Sequence, residues 1–504
     1  MEGLLHGFAT VFSEQNLLWC FLGVLMGTLV GVLPGLGPVG AISLLLPITY
    51  SMDTTGALIM LAGIYYGSMY GGSTTSILVN VPGEAASVIT CIDGHQMAKK
   101  GRAGPALAIS AIGSFVAGTV GVVLIMLMAP PLGRLALKFG PPEYFCIALL
   151  GLLVLTRLTG KDSMKSYLMM FFGVVVATIG IDPISGIPRF TFGSQKLIEG
   201  LDFIPVIMGL YGIAEVLSSA EDIFKPKEVM GVRFRELMPT RQDMKDSAGP
   251  IARGSILGFL IGLIPGPANI ISTFASYGLE KRLSKNPEKF GQGAIEGVAG
   301  PETANNGASC GALVPLLSLG IPFSPLPAVL LGAFMLHNII PGPTLIADHP
   351  DVFWGLIASM YIGNVMLLVL NLPMVGLFAQ VARVHGKYLM PIVIVFCVLG
   401  SFAVRNSFMD LWVLALFGIL GYLLRKGGFS PAPLALGMII GPMLEDTFRQ
   451  SAMLFKGDFS LFFSRPLSGT MMVFIFIILA WPLLEKVLAR FNIKSPLGRG
   501  VEEE

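Results

Sequence analysis

Two stretches of this 504-residue chain set uncharged hydrogen-bonding side chains inside otherwise apolar text. The first, YGGSTTSILVNVPGEAAS at 70–87, carries Ser73, Thr74, Thr75 and Asn80. The second, GPETANNGASCGALVPLLSLGIP at 300–322, carries Asn305, Asn306 and Ser309, with Asn269 upstream. Hydroxyls and amides donate as well as accept, so a set of them can bond a carboxylate without a fixed countercharge. A fixed cation would make release slow. Neutral donors aided by helix termini, each worth about 0.3–1 kcal/mol and up to about 2 when partly buried, permit reversible binding. These eight residues are the candidate set for binding an anionic solute.

A second pattern concerns the backbone. Residues 23–35 read GVLMGTLVGVLPG and residues 254–266 read GSILGFLIGLIPG, the same spacing of glycine and proline 231 positions apart. Glycine at every fourth position gives a helix a smooth strip that another helix can approach closely. Pro34-Gly35 and Pro265-Gly266 should then stop each helix and free its last carbonyls. Carbonyl ends suit a cation, and the N-terminus of a following helix suits an anion. Pro34, Gly35, Gly37, Pro265, Gly266, Gly320 and Pro322 are therefore the candidate break and cation-binding positions, with Na⁺ preferred to H⁺. Aligned on Gly72 and Gly307, both polar stretches run from a hydroxyl-rich turn to a break at Pro82 or Pro322, the second with four extra residues.

The elements that must position these residues are membrane helices. The chain is 54% hydrophobic and 13% charged, with mean hydropathy +0.76. A soluble domain carries about a quarter of its residues as charges. Candidate spans fall at 16–33, 53–70, 104–129, 143–160, 167–182, 202–219, 351–380, 388–404, 408–424 and 467–489. Gly/Pro-interrupted apolar pieces at 38–50, 72–91, 254–279, 303–337 and 430–444 cannot face lipid with freed backbone groups, so they must be buried or line a watery cavity. The expectation is an all-α polytopic integral membrane protein with about 10–12 transmembrane helices. A net charge of +2 gives no sign of a nucleic-acid partner. The five cysteines form neither CxxC nor metal spacing, so buried free thiols are expected.

Basic residues in short loops mark the cytoplasmic side. Lys99, Lys100 and Arg102 do so, as do Arg157, Lys161 and Lys165, the polar stretch 220–253, Arg383 and Lys387, Arg425 and Lys426, and Arg490 and Lys494. The first fourteen residues hold no Lys or Arg, so the N-terminus is placed outside, the C-terminus inside, and no cleavable signal peptide is expected. The two glycine-proline repeats then enter from opposite faces, an inverted repeat of the kind found in secondary transporters. The lysine-rich stretch 280–289 would make 254–279 a re-entrant hairpin if it is cytoplasmic. The expected organisation is a first half at 1–219, a cytoplasmic linker at 220–253, a second half at 254–466, and a final helix and tail at 467–504.

The stretches GVLPGLGPVGAISLLLPITY, YYGSMYGGSTTSILVNVPGEAASVITCIDGHQMAKKGRAGPAL and GLIPGPANI…GPETANNGASCGALVPLLSLGIP resemble the large membrane subunit of the tripartite tricarboxylate transporters, the TctA family. The resemblance covers nearly the whole chain. It implies a bacterial inner-membrane, cation-coupled importer of citrate-like tricarboxylates or related carboxylates. It also implies a small TctB-like membrane subunit, a periplasmic TctC-like solute-binding protein, and a transport site in the Gly/Pro and Ser/Thr/Asn segments.

Single residues have plainer readings. Glu84 and Glu302 follow Gly-Pro or Pro-Gly pairs, and helix capping is preferred to cation coupling for both. Asp93 and His95 read as a solvated loop or partner contact, Arg189 as an unremarkable outer-loop residue, and His337-Asn338 as a satisfied polar pair. Glu445-Asp446 mark an interface or an aqueous pocket. GASCG at 307–311 fits G-x-S-x-G but lacks the strand–turn–helix context, so an intramembrane serine hydrolase using Ser309 is the alternative to transport, beside a channel or a scaffold subunit. No P-loop or H-E-x-x-H is present and no cofactor is expected. An ion gradient can supply the work, at about 2.3 kcal/mol per charge per 100 mV. Substrate movement is expected to follow an elevator-like displacement of one part against the other.

Overall fold

A computed structural model describes residues 2–33, 37–159, 163–182, 185–220, 237–381 and 386–490. Pro34, Gly35, residues 221–236 of the expected linker and the C-terminal tail lie outside the described residues. The first part of the chain forms α1 (Glu2–Val11), α2 (Glu14–Val32), α3 (Gly37–Leu45), α4 (Thr54–Val79), α5 (Val88–Lys99), α6 (Ala103–Ala136), α7 (Pro141–Thr159) and α8 (Ser163–Ala177). α9 (Phe203–Ile207) continues through a π-helical stretch at Met208–Ile213 into α10 (Ala214–Ala220). The remainder forms α11 (Arg241–Gly262), α12 (Ala268–Leu283), α13 (Glu296–Leu319), α14 (Pro325–Leu336), α15 (Leu345–Asp348), α16 (Pro350–Asn371), α17 (Val375–Val381), α18 (Gly386–Arg405), α19 (Phe408–Lys426), α20 (Ala432–Leu454), α21 (Leu461–Ser464) and α22 (Pro466–Arg490). Two short paired strands, at 180–181 and 188–189, are the only sheet among the described residues. The protein is an all-α polytopic membrane protein. α2, α6, α16 and α19 are individually long and apolar enough to cross a bilayer, and shorter apolar helices accompany them. Side chains such as Leu127, Phe171 and Trp412 point out of the protein, as lipid-facing residues do.

Lipid tails are as apolar as leucine, so helices in a bilayer associate through close packing and hydrogen bonds rather than through water exclusion. The glycine strips supply the close packing. A Cβ added at Gly27 of α2 would lie 2.6 Å from the Ile64 carbonyl oxygen of α4. One added at Gly258 of α11 would lie 2.2 Å from the Ala304 carbonyl oxygen of α13. The rest of each strip repeats the arrangement: Gly23 and Gly31 meet Met60 and Ser68, while Gly254 and Gly262 meet Gly300 and Ala308. The register is thus 231 from α2 to α11 but 240 from α4 to α13.

This register corrects the alignment on Gly72 and Gly307. Gly67 corresponds to Gly307, Asn80 to Gly320 and Pro82 to Pro322, with no extra residues before the second break. Hydrogen bonds join Tyr65 of α4 to the Ser309 carbonyl and Ser73 to Glu302 of α13. Numbers rise along one helix as they fall along the other, so the two equivalent helices run in opposite directions, as inverted repeats require.

The breaks have a common chemistry. α4 ends at Asn80 (φ 57°) and α13 at Gly320 (φ 72°), both left-handed, and in each a proline follows two residues later. A left-handed residue closes the last turn, and proline prevents its resumption. Proline without that partner does not break these helices. α13 runs through Pro301 and Pro315, and α6 through Pro130 and Pro131. The expected break at 430–444 is likewise absent, because α20 continues past Pro442 with helical residues on either side. Neighbouring helices and local adjustment accommodate such prolines in membrane helices. The hydroxyl-rich turns expected at 73–75 and 305–309 are also helical, since they lie within α4 and α13.

Substituting Gly258 by leucine should lower the apparent melting temperature in detergent, by an overpacking cost of about 1–3 kcal/mol. Gly278 of α12, whose added Cβ meets nothing within 4 Å, serves as comparator. Gly278→Ala should leave the midpoint unchanged or raise it, by up to about 1 kcal/mol from helix propensity.

Candidate functional site

α11 and α12 form a hairpin with residues 263–267 at its tip. Arg253 of α11 and Glu280 of α12, remote from the tip on either arm, pair through Nε and Oε1 at 2.9 Å. At the tip, the Gly266 N–H donates to the Phe323 carbonyl at 2.9 Å, joining this break to the one after α13. α12 begins at Ala268, which sets Asn269 in its first turn. The first N–H groups of a helix have no intrahelical acceptor and favour a negative charge.

Asn269 faces the middle of α13. Its Nδ2 lies 2.8 Å from Asn305 Oδ1 and 2.7 Å from Ser309 Oγ. Asn305 Nδ2 in turn donates to Glu84 Oε1 at 2.5 Å. Glu84 sits in the break between α4 and α5, held by a mutual bond between Ser87 Oγ and its backbone. Residues from both halves therefore meet in one hydrogen-bonded chain: Glu84, Asn305, Asn269 and Ser309. Met69 and Tyr65 of α4 close it from the other side, Met69 Sδ lying 3.8 Å from Asn269 Nδ2.

The remaining candidates are distributed around this centre. Ser73 donates to Glu302, as does Thr90 of α5. Thr74 is buried, and Thr75 turns its hydroxyl to the Gly72 carbonyl at 3.3 Å. Asn306 points away from the centre, donating to Ser114 of α6 at 2.7 Å. Asn80 is exposed at the end of α4. Gly37, with φ 61°, opens α3, while Pro265, Gly266, Gly320 and Pro322 lie in the two second-half breaks. Pro34 and Gly35 are outside the described residues.

Several single-residue readings change. Glu302 does not cap a helix, because α13 starts at Glu296 and Glu302 is buried within it. Asp93 is not in a solvated loop. It lies in α5, fully buried, and its Oδ1 accepts backbone N–H groups of Gly291, Gly293 and Ala294 at 2.7–2.9 Å. Its Oδ2 accepts from Tyr277 Oη at 2.9 Å. His95 is also buried, its Nδ1 lying 3.0 Å from the Ile77 carbonyl. Arg189 pairs with Glu445 at 2.6 Å, and Glu445 pairs with Arg449 at 2.6 Å, so Glu445 of α20 joins both arginines in one ion network. Ser309 is mid-helix, its Oγ donating to the Asn305 carbonyl at 3.1 Å, so no nucleophile elbow surrounds it. Sequence reasoning passed over Thr90, Tyr65 and the central position of Glu302. An ionisable residue inside an apolar run was the available signal for the last of these.

Interrupted helices repeated in opposite senses around a buried polar centre define a class of membrane protein, that of the broken-helix transporters. Within that class, the chain belongs to the Tripartite tricarboxylate transporter TctA family, which it matches over residues 17–436. TctA is the large membrane subunit of these transporters. An "Uncharacterized 52.8 kDa protein in TAR-I ttuC' 3'region" of Agrobacterium vitis is 46% identical over 472 residues, 94% of each chain. An "Uncharacterized protein in TAR-II ttuC' 3'region" of the same organism is 45% identical over 215 residues, 43% of this chain and 89% of its own. No solved structure matches the chain.

Asp93 anchors the connection before α13 by charge-assisted bonds, each worth about 1.5–3 kcal/mol. Asp93→Ala should free the 284–293 connection. Limited trypsin digestion should then cut at Lys285 or Lys289 several-fold faster than in the unaltered protein.

Proposed function

We propose that the protein carries a citrate-like tricarboxylate, or a related small organic carboxylate, into the cell by cation-coupled secondary transport across the bacterial inner membrane. It does so as the large membrane subunit beside a small TctB-like membrane subunit, receiving substrate from a periplasmic TctC-like binding protein. The N-terminus faces the periplasm and the C-terminus the cytoplasm. The observation that carries the reading is the convergence of Asn269, Asn305 and Ser309 at the start of α12, where the hairpin is broken. Two amides and a hydroxyl can each turn a hydrogen toward a carboxylate, and the helix N-terminus adds a partial positive charge. None is a fixed cation, so the anion can leave again.

The carboxylate is drawn from bulk water into a protein-lined centre, and the gradient of a monovalent cation, Na⁺ ahead of H⁺, supplies the work. A displacement of the broken-helix core against its surrounding helices, elevator-like in form, exposes the centre to each face in turn. Transport proceeds without a cofactor and without bond-making chemistry. A hydrolase would need a general base at Ser309, whereas its hydroxyl meets the Asn269 amide and the Asn305 carbonyl.

Purified complex screened by thermal shift against citrate, succinate and malate, with and without Na⁺, should show a raised midpoint for the true substrate class. Ligand at 100 times its Kd contributes about 2.7 kcal/mol of apparent stability. Asn269→Ala and Asn305→Ala should each remove most of that shift and lower uptake into proteoliposomes by at least about tenfold, the equivalent of about 1.4 kcal/mol. Unchanged uptake in both variants would refute the assignment of the site.

A further inference from the structure

Burying a carboxylate without a countercharge is costly, and proteins avoid it by pairing or neutralising the group. Eight carboxylates are buried among the described residues. Five face an arginine: Glu143 with Arg465, Asp182 with Arg449, Asp243 with Arg102, Glu280 with Arg253, and Asp410 with Arg405. Asp93 is matched by three backbone N–H groups and a tyrosine hydroxyl. The remaining two, Glu84 and Glu302, have only neutral donors. Glu302 receives Ser73 and Thr90, and Glu84 receives Asn305.

These two groups are neighbours by construction. Asn305 stands three residues after Glu302 on α13, a spacing that shares a helix face. Its amide then reaches Glu84 across the boundary between the halves. The oxygen atoms gathered here come from Glu84, Glu302, Ser73 and Thr90, a hard set that suits a proton or an alkali cation and lacks soft ligands. By contrast, the Phe323 carbonyl at the second-half break is already engaged by Gly266.

We propose that Glu84 and Glu302 are the seat of the coupling cation. A single monovalent cation, proton or sodium, binds at this pair and neutralises Glu84, and Asn305 links its occupancy to Asn269 and Ser309 at the substrate end. The inference rests on the transport reading above and says where the coupling is made. With Glu84 ionised, its oxygen holds the Asn305 amide and its charge repels an incoming carboxylate. Neutralising Glu84 releases the amide and removes the repulsion, so the cation favours substrate binding. By reciprocity, bound substrate favours the cation to the same degree.

The test uses the complete complex in proteoliposomes, with radiolabelled citrate as probe. Gradient-driven uptake is compared with exchange against internal citrate, under a Na⁺ gradient at equal pH and under a pH gradient without Na⁺. The unaltered complex should be driven by one of the two gradients, which identifies the cation. In Glu84→Gln and Glu302→Gln the ratio of driven uptake to exchange should fall by about 5- to 150-fold, the usual span of coupling factors. A merely structural role would depress both fluxes together and leave the ratio intact, which would overturn the proposal. Should either variant fail to fold, the unaltered complex decides. Its thermal midpoint should rise with added Na⁺ or with falling pH, and a flat response to both would overturn the proposal. An unaltered complex that moves neither citrate nor succinate, yet responds to the cation, would refute the transport reading and leave the cation seat standing.

Discussion

A helix interrupted inside a bilayer must find partners for the backbone groups it frees, because lipid offers none. In this protein the partner for one break is another break. The Gly266 N–H at the hairpin tip donates to the Phe323 carbonyl that follows α13. That bond closes two open ends with each other and brings the first turn of α12 against the middle of α13. Asn269 can reach Asn305 and Ser309 only because this join holds the two segments together. The glycine strips serve the same end. They let α11 and α2 lie directly on the backbones of α13 and α4, so the interrupted segments are enclosed by protein.

Charge is handled in two ways. Away from the centre, buried carboxylates are met by arginines that bridge distant parts of the chain, as Arg465 meets Glu143 and Arg449 meets Asp182. Such pairs are poor sources of net stability, but removing one partner is costly, so they enforce which helices lie together. At the centre, among the described residues, no arginine meets the carboxylates, and amides and hydroxyls do so instead. Neutral donors can be exchanged between a protein acceptor and a mobile ligand without leaving a stranded charge.

Much of this was legible in the sequence. The ten expected spans fall on helices, although 351–380 is divided between α16 and α17 and 167–182 runs past the end of α8, and the glycine-proline repeat does mark equivalent helices. Asn269, Asn305 and Ser309 do come together. The failures share a cause. Proline was read as sufficient to end a helix, yet α20 passes Pro442 and α13 passes Pro315. A break also needs a residue that can turn left-handed, as Asn80 and Gly320 do. Local text does not show where a polar side chain will find its partner. Asn305 and Asn306 are adjacent and chemically identical, yet one faces Glu84 and the other Ser114 of α6. Asp93 looked solvated because its partners are backbone N–H groups about two hundred residues away, which no composition records.

The registers of 231 and 240 leave the second half nine residues longer from α11 to α13 than the first is from α2 to α4, and Asp93 fastens backbone N–H groups near the end of that longer stretch. Two perfectly matched halves would be interchanged by a two-fold rotation in the membrane plane, with neither arrangement favoured over the other. A clasp present on one side alone removes that equality, and a bias of about 1.4 kcal/mol already sets a tenfold preference. The difference between the halves thereby resides in a connection outside the polar centre.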